Sequence, residues 1–265
     1  MHDSYVYQNF DLPKVQNINN LTFIEKVFLS SLNPQINNDE YALICPKNFE
    51  TLTPSQEYTQ QILFELLQNQ ILNIAPDNTT KELLQMNYII NIPFEQHFLL
   101  KNILCLNTTE IIYEQMDIIE LWEEIASYEI IEYLESWILP KFNITVLTEK
   151  KALINKFKHL LQYYSQGQIY SIIYSSAKYA QTLIDKEPFL DTENIRNIII
   201  GCTFKHANNA LKNDWFVSTF NKPYSIDQSQ LSNHFFNKIL KAKDYTQITI
   251  KQFFTQKYSQ IERYG

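Results

Sequence analysis

Glycine is scarce in this chain, with 3 glycines in 265 residues, at Gly167, Gly201 and Gly265. Average proteins contain about 7% glycine, and glycine lets a backbone adopt positive φ or approach a phosphate closely. No G-x-G-x-x-G, G-x-x-x-x-G-K-[ST] or G-x-S-x-G motif occurs. Their absence argues against the sites of Rossmann enzymes, P-loop NTPases and α/β-hydrolases. The shortage also favours helices, whose connections need fewer positive-φ residues than tight β-turns.

Cysteines and long apolar runs are scarce as well. The chain has three widely spaced cysteines, Cys45, Cys105 and Cys202, and this pattern favours free thiols in a reducing compartment over a disulfide framework. No run approaches the roughly 20 apolar residues that span a bilayer. The first residues, Met1–Tyr5, lack the basic and then apolar pattern of a signal peptide. We therefore expect a folded cytoplasmic protein with no membrane partner.

Motifs for metal binding and catalysis are also missing. None of the five histidines follows a glutamate by three residues, and neither H-E-x-x-H nor C-x-x-C occurs, so we predict no metal and no cofactor. Cys202 and His206 are four residues apart on a predicted helix and would share a face. A thiolate nucleophile also needs an activating environment, which spacing alone does not indicate. We predict no catalytic residue, and an enzyme without a recognisable motif is the third of our functional hypotheses.

Residues 1–106 are predicted to form a small α+β part. Periodicity and turn residues predict two helices and then two short strands, at 21–32, 53–67, 70–76 and 88–93. This order is typical of a winged helix. The second helix has no basic residue on its exposed positions, so it lacks the phosphate contacts of a DNA-binding helix. The alternatives are a winged module used for protein contacts or no winged module.

Residues 107–265 are predicted to form a helical domain, which makes the whole chain mainly α. Apolar residues from Ile112 through Met116 to Trp137 follow the helical period and stop before Pro140, which predicts a long packing helix. Further helices are predicted to begin near residues 148, 169, 191, 225 and 249. Gly167 is predicted to end the first of these, and Ser225 is predicted to open a capping box.

A segment at the start of the predicted 169–184 helix has a recognisable pattern. Residues 164–174 have the sequence Y-S-Q-G-Q-I-Y-S-I-I-Y and are followed by Lys178. This pattern, S-x-G-Q-x-x-x-I-x-Y/W-x-x-x-K, resembles the core of an uncharacterised bacterial protein family of unknown function. The likeness extends over about residues 150–250 and implies no activity and no site residues. From the residues themselves, Gln168 and Lys178 are candidates for polar contacts that fix helix pairing.

Charge is distributed unevenly along the chain. Residues 1–140 carry 20 acidic and 5 basic side chains, whereas residues 141–265 carry 9 acidic and 17 basic ones, for a net charge of −7. Encounter with a partner depends on the local field more than on the net charge. Either different surfaces attract partners of opposite charge, or the two parts neutralise each other.

The leading hypothesis is a cytosolic protein-binding module, in particular an immunity or inhibitor protein. An acidic surface on the long helix would attract a basic partner such as a nuclease toxin. The candidate partner-binding residues are Glu114, Asp117, Glu120, Glu124 and Glu132.

The alternative is a nucleic-acid-binding regulator that uses the basic C-terminal helices. Lysines interleaved with aromatic residues are found in proteins that bind RNA or single strands. The candidate residues are Lys205, Lys212, Lys238 and Lys241. The sequence does not indicate the oligomeric state.

Overall fold

A computed structural model of the chain describes residues 17–32, 35–37, 41–76, 78, 80, 82–93, 96, 106–144, 147, 149–187 and 189–264. This part is mainly helical with a small antiparallel sheet, which confirms the predicted fold class at that level. Contacts divide the chain into two compact units. The first unit comprises Met1–Leu52 and Gln56–Cys105, and the second comprises Thr53–Ser55 and Leu106–Gly265.

The described residues of the first unit form two α-helices and a four-stranded sheet. The helices are α1 (Phe23–Ser31) and α2 (Gln56–Gln68), and the strands are β1 (Gln35–Asn37), β2 (Tyr41–Ile44), β3 (Leu72–Ile74) and β4 (Tyr88–Ile90). The strand order is β1-β2-β4-β3 with antiparallel neighbours, and Ile89 of β4 pairs with Leu43 of β2 and Asn73 of β3. A capping box at Thr22 and Glu25 starts α1, because each side chain accepts from the backbone of the other residue.

The winged-helix interpretation of this unit is not confirmed. The order of elements is helix, strand, strand, helix, strand, strand, because β1 and β2 lie between the two helices. The sequence pattern did not predict β1 and β2. Their sequences, Q-I-N and Y-A-L-I, are too short for alternating hydrophobicity to identify a strand.

The second unit is built from helices α3 (Thr108–Tyr113), α4 (Gln115–Tyr133), α5 (Lys150–Leu161), α6 (Gln166–Ile184), α7 (Thr192–Lys212), α8 (Gln230–Ser232) and α9 (Ile250–Tyr264). A π-helical turn (Leu134–Ile138) and a 3-10 turn (Leu139–Phe142) extend α4, and a π-helix (Asn233–Ile239) extends α8. No helix in the described ranges has the length and apolar character needed to cross a membrane.

Side-chain caps set several helix starts in the second unit. Asn107, Ser165, Asp191 and Ser229 each accept a hydrogen bond from the backbone N–H three residues later. The predicted capping box at Ser225 is therefore wrong, because the helix begins four residues later behind Ser229.

The core of the second unit is rich in aromatic side chains. The ring of Trp122 on α4 is edge-on to Phe236 at 4.9 Å, and Phe236 stacks on Tyr245 at 3.9 Å. Tyr133 and Tyr170 bring α4 and α6 together, with ring centroids 4.4 Å apart. Large rings contribute much of the apolar area that a helical core buries.

Gly167 does not end α5, contrary to the prediction. It lies in the first turn of α6, where its N–H donates to the Thr246 carbonyl at 2.7 Å and its carbonyl accepts from Phe220 N at 2.9 Å. An added Cβ would lie 2.6 Å from the Phe220 oxygen and 2.8 Å from the Thr246 oxygen. This glycine therefore permits a close approach of two backbone segments to α6.

Candidate functional site

Along the C-terminal half of α4, lysines neutralise the acidic side chains. Glu124 forms an ion pair with Lys158, and Glu132 accepts from Lys222 Nζ at 2.9 Å. Glu135, in the π-helical turn, pairs in the same way with a lysine of α5. The uneven charge distribution left two possibilities, surfaces that attract different partners or mutual neutralisation. In this half of the helix, basic side chains from later in the chain neutralise the acidic ones.

At the N-terminal end of α4, the acidic residues lie beside exposed apolar side chains. Glu114 and Asp117 are half-buried and Glu120 is exposed. Tyr113 is 86% exposed and Met116 is 76% exposed. Met116 and Asp117 both lie within one turn of Glu120, so the three side chains are neighbours on α4. We call these five residues the acidic–apolar surface.

The four lysines of the nucleic-acid hypothesis are all exposed but lie on different elements. Lys205 and Lys212 are on α7, Lys238 is in the π-helix after α8, and Lys241 follows that π-helix. Burial and then the charge of Lys241 lower the pKa of Lys257 on α9. Exposure alone does not assign these lysines a ligand.

Cys202 and His206 are on α7, as expected, with the cysteine half-buried and the histidine exposed. Among the described residues, no group of three or more His, Cys, Asp or Glu side chains is placed to hold a metal ion. The expectation of no catalytic residue and no metal ligand stays a prediction.

The most buried carboxylate of the second unit is Glu129, in the middle of α4. Its side chain is completely buried and accepts hydrogen bonds from Gln166 Nε2 at 2.8 Å and the Tyr245 hydroxyl at 3.2 Å. The Lys222 ammonium lies 3.6 Å away. The candidate residues did not include Glu129. Glu129 lies four residues after Ile125 and therefore in the apolar stripe of the helix, and this spacing indicates a buried position.

Hydroxyl groups and a second carboxylate surround Glu129. Burial, followed by the charge of Glu129, raises the pKa of Tyr170 and of Tyr245 well above the usual value. Burial also raises the pKa of Glu132, against the opposing effect of Lys222. The Lys222 ammonium donates in addition to the Asp227 carbonyl at 2.8 Å. Lys222 therefore holds the loop between α7 and α8 onto α4.

A concave site lies at the C-terminal end of α4. We call it the aromatic groove: a cavity of about 580 Å³ lined by Tyr133, Trp137, Tyr174 and Thr219–Ser225. Trp137 belongs to the π-helical turn and Tyr174 to α6, whereas Thr219–Ser225 is part of the α7–α8 loop. The volume lies within the range of about 300–1,000 Å³ that is usual for small-molecule sites.

Contacts with α6 hold the α7–α8 loop in place along the groove. Phe220 is bonded to Gly167, as described above, and its ring lies edge-on to Tyr174 at 5.5 Å. Gln168 donates to the Val217 carbonyl at 3.2 Å, and the hydroxyls of Ser171 and Ser218 are 3.0 Å apart. Gln168 therefore makes a polar contact, as the sequence analysis expected, but with this loop.

Two lysines lie over the rings of the groove. The Lys141 ammonium is 4.2 Å from the centroid of the Trp137 ring and 6.0 Å from that of Tyr174. The Lys178 ammonium is 5.0 Å from the Tyr174 centroid. No ion pair between described residues includes Lys141 or Lys178. Neither lysine is a lining residue of the cavity itself. The rings that line the groove therefore have adjacent positive charge that forms no ion pair with a carboxylate of the described part.

Comparisons with protein-family models, with curated proteins and with solved structures found no match for this chain.

Proposed function

We propose that this chain is a protein-binding module whose acidic–apolar surface binds a basic protein. One observation supports this proposal above the others: Tyr113 and Met116 are almost fully exposed beside Glu114, Asp117 and Glu120. The partner would insert apolar side chains between Tyr113 and Met116 and place lysines or arginines opposite the carboxylates.

Apolar burial and charge would both contribute to binding at this surface. Tyrosine and methionine are enriched at protein interfaces, where burying their apolar atoms supplies affinity. Carboxylates around such a centre increase the rate of encounter with a basic partner and exclude acidic ones. Residues 1–140 carry 20 acidic against 5 basic side chains, and the carboxylates near this surface that no lysine neutralises add to the attraction.

In its narrower form, the proposal is that the chain inhibits its partner, as an immunity protein does, in the cytoplasm. An acidic protein that covers a basic functional surface blocks access of nucleic acid to that surface. The free thiols of Cys45 and Cys202 accord with a reducing compartment.

The test is a charge reversal at the proposed surface. The tagged full chain is used to capture partners from its native cell extract, with and without added nuclease, and the affinity of the captured protein is then measured for variants. We expect the triple variant Glu114→Lys, Asp117→Lys, Glu120→Lys to bind at least about 10-fold more weakly and with a flatter salt dependence.

The matched control reverses three exposed carboxylates elsewhere: Asp185→Lys, Glu187→Lys and Asp244→Lys. This control changes the net charge by the same amount and should retain the partner. The proposal is wrong if both triple variants bind equally well, or if everything captured is nucleic acid that nuclease removes. Inhibition is tested separately, by assaying the captured protein's activity with and without the chain.

A further inference from the structure

The aromatic groove offers a ligand two kinds of contact at once. Trp137 and Tyr224 present ring surface to solvent, since Trp137 is 36% exposed and Tyr224 fully so. Lys141 and Lys178 bring positive charge to the rings of Trp137 and Tyr174. A ligand that matches both features has a planar aromatic ring and an anionic group.

The groove is also preformed. Its loop wall is bonded to α6 through Phe220, and Lys222 anchors the same loop to Glu132 at 2.9 Å. Within the loop, Lys222 also donates to the Asp227 carbonyl. Preorganised walls save the entropy of ordering them when a ligand binds. Because Lys222 already pairs with Glu132, we expect Lys141 and Lys178 to contact the anionic group of the ligand.

Two other ligand classes fit less well. A quaternary ammonium ion binds aromatic faces, but it would be repelled by the ammonium groups of Lys141 and Lys178, which lie over the rings of Trp137 and Tyr174. Inorganic phosphate alone would make no use of the aromatic walls. Stacking on aromatic side chains combined with lysine contacts to phosphate is instead how proteins hold nucleotides of single strands.

We propose that the aromatic groove binds a nucleotide, with its base stacked on the rings of Trp137 and Tyr224 and its phosphate held by Lys141 and Lys178. The nucleotide is either a free mononucleotide or one unit of a single-stranded nucleic acid, because both present the same base and phosphate. This site lies at the C-terminal end of α4, whereas the acidic–apolar surface lies at its N-terminal end. A negative result at one of these sites therefore does not contradict the proposal for the other.

The experiment is a calorimetric titration of the full chain with two probes, adenosine 5′-monophosphate and a single-stranded 12-nucleotide oligoadenylate. Binding of the mononucleotide with no gain for the oligomer identifies a free nucleotide. An affinity at least about 10-fold higher for the oligomer identifies a strand. The absence of binding for both probes at millimolar concentration overturns the proposal.

Variants test whether the groove is the site. Trp137→Ala should weaken binding by roughly 5- to 150-fold, the range that corresponds to losing one stacked base. The double variant Lys141→Gln, Lys178→Gln should weaken binding and flatten its salt dependence, because two phosphate contacts are lost. If Trp137→Ala fails to fold, Tyr224→Ala replaces it, since that side chain is fully exposed.

Matched controls lie outside the groove. Trp215→Ala removes an exposed tryptophan of the second unit that is not among the groove-lining residues, and Lys212→Gln removes an exposed lysine of α7. Both control proteins should bind like the wild type. The proposal is overturned if the groove variants bind the nucleotide like the wild type. It is also overturned if only the control variants lose binding, because the nucleotide then binds elsewhere.

Discussion

At the scale of single residues, two glycines on neighbouring helices have opposite surroundings. A Cβ at Gly167 would meet backbone oxygens at 2.6 and 2.8 Å, whereas a Cβ at Gly201 would meet nothing within 4 Å. Alanine is the better helix former by about 1 kcal/mol. We expect Gly201→Ala to raise the free energy of unfolding by about 0.5–1 kcal/mol. Gly167→Ala should lower it by about 1–3 kcal/mol, since two backbone segments must move.

Urea unfolding of the two alanine variants measures both changes. An increase in stability for Gly167→Ala would show that the segments at Phe220 and Thr246 can shift at little cost, contrary to our account of the close approach. Gly201→Ala serves as the control for helix propensity, because a Cβ at this mid-helix position meets no neighbouring atom within 4 Å.

Hydrophobic periodicity did not determine the exposure of every residue on the long helix. Met116 and Trp137 belong to the apolar stripe of the long helix in sequence, yet both are exposed. Glu129 lies in that stripe and is completely buried. A hydrophobic pattern identifies the face of a helix that packs. It does not show where the neighbouring elements end, and it does not show where they supply a polar partner for a buried side chain.

At the scale of elements, α4 connects three of the features described for the second unit. The acidic–apolar surface lies at its start, Glu129 at its middle and the aromatic groove at its end. A π-helical turn at Leu134–Ile138 accommodates more residues per turn than an α-helix. This change of period rotates Trp137 away from the face on which Leu134 and Ile138 are buried.

The hydrogen bonds of Glu129 tie α4 to α6 and to the segment that carries Tyr245. Glu129→Ala would leave the Gln166 amide, the Tyr245 hydroxyl and part of the charge of Lys222 without their acceptor. Because breaking a buried ionic network from one side is strongly destabilising, we expect a loss of about 3–5 kcal/mol in the free energy of unfolding. Glu129→Gln, which keeps the shape and one acceptor oxygen, should lose less.

Chemical denaturation measures the loss, with Glu120→Ala as a control on the same helix. Glu120 is exposed, and its replacement should change stability by no more than about 0.5 kcal/mol. Equal stabilities of the Glu129→Ala and Glu120→Ala proteins would contradict the role assigned to the buried network.

At the scale of the whole molecule, stability should depend on pH through His234. Burial, and secondly the charge of Lys238, lower its pKa to about 4, whereas an unfolded histidine titrates near 6.5. Between these values the unfolded state binds more protons than the folded state, so the free energy of unfolding falls as the pH falls. The contribution of His234 to this loss is about 3 kcal/mol by pH 4.

Unfolding curves recorded from pH 7 to pH 4 provide the measurement. His234→Gln should flatten the dependence on pH, and His206→Gln, at an exposed position of α7, should keep the slope of the wild type. The raised pKa of Glu132 acts in the opposite direction, but it is present in all three proteins and cancels in the comparison. Identical slopes for wild type and His234→Gln would refute the prediction.

Local features of the sequence determined the helical class and the approximate course of α4 to α7 and of α9. Periodicity and capping act over a few residues and are therefore visible in the chain itself. Tertiary structure decided which carboxylates lysines neutralise, that Glu129 is buried, and that Trp137, Tyr174 and Tyr224 line one groove. These features join residues tens of positions apart, and local patterns carry no information about such contacts.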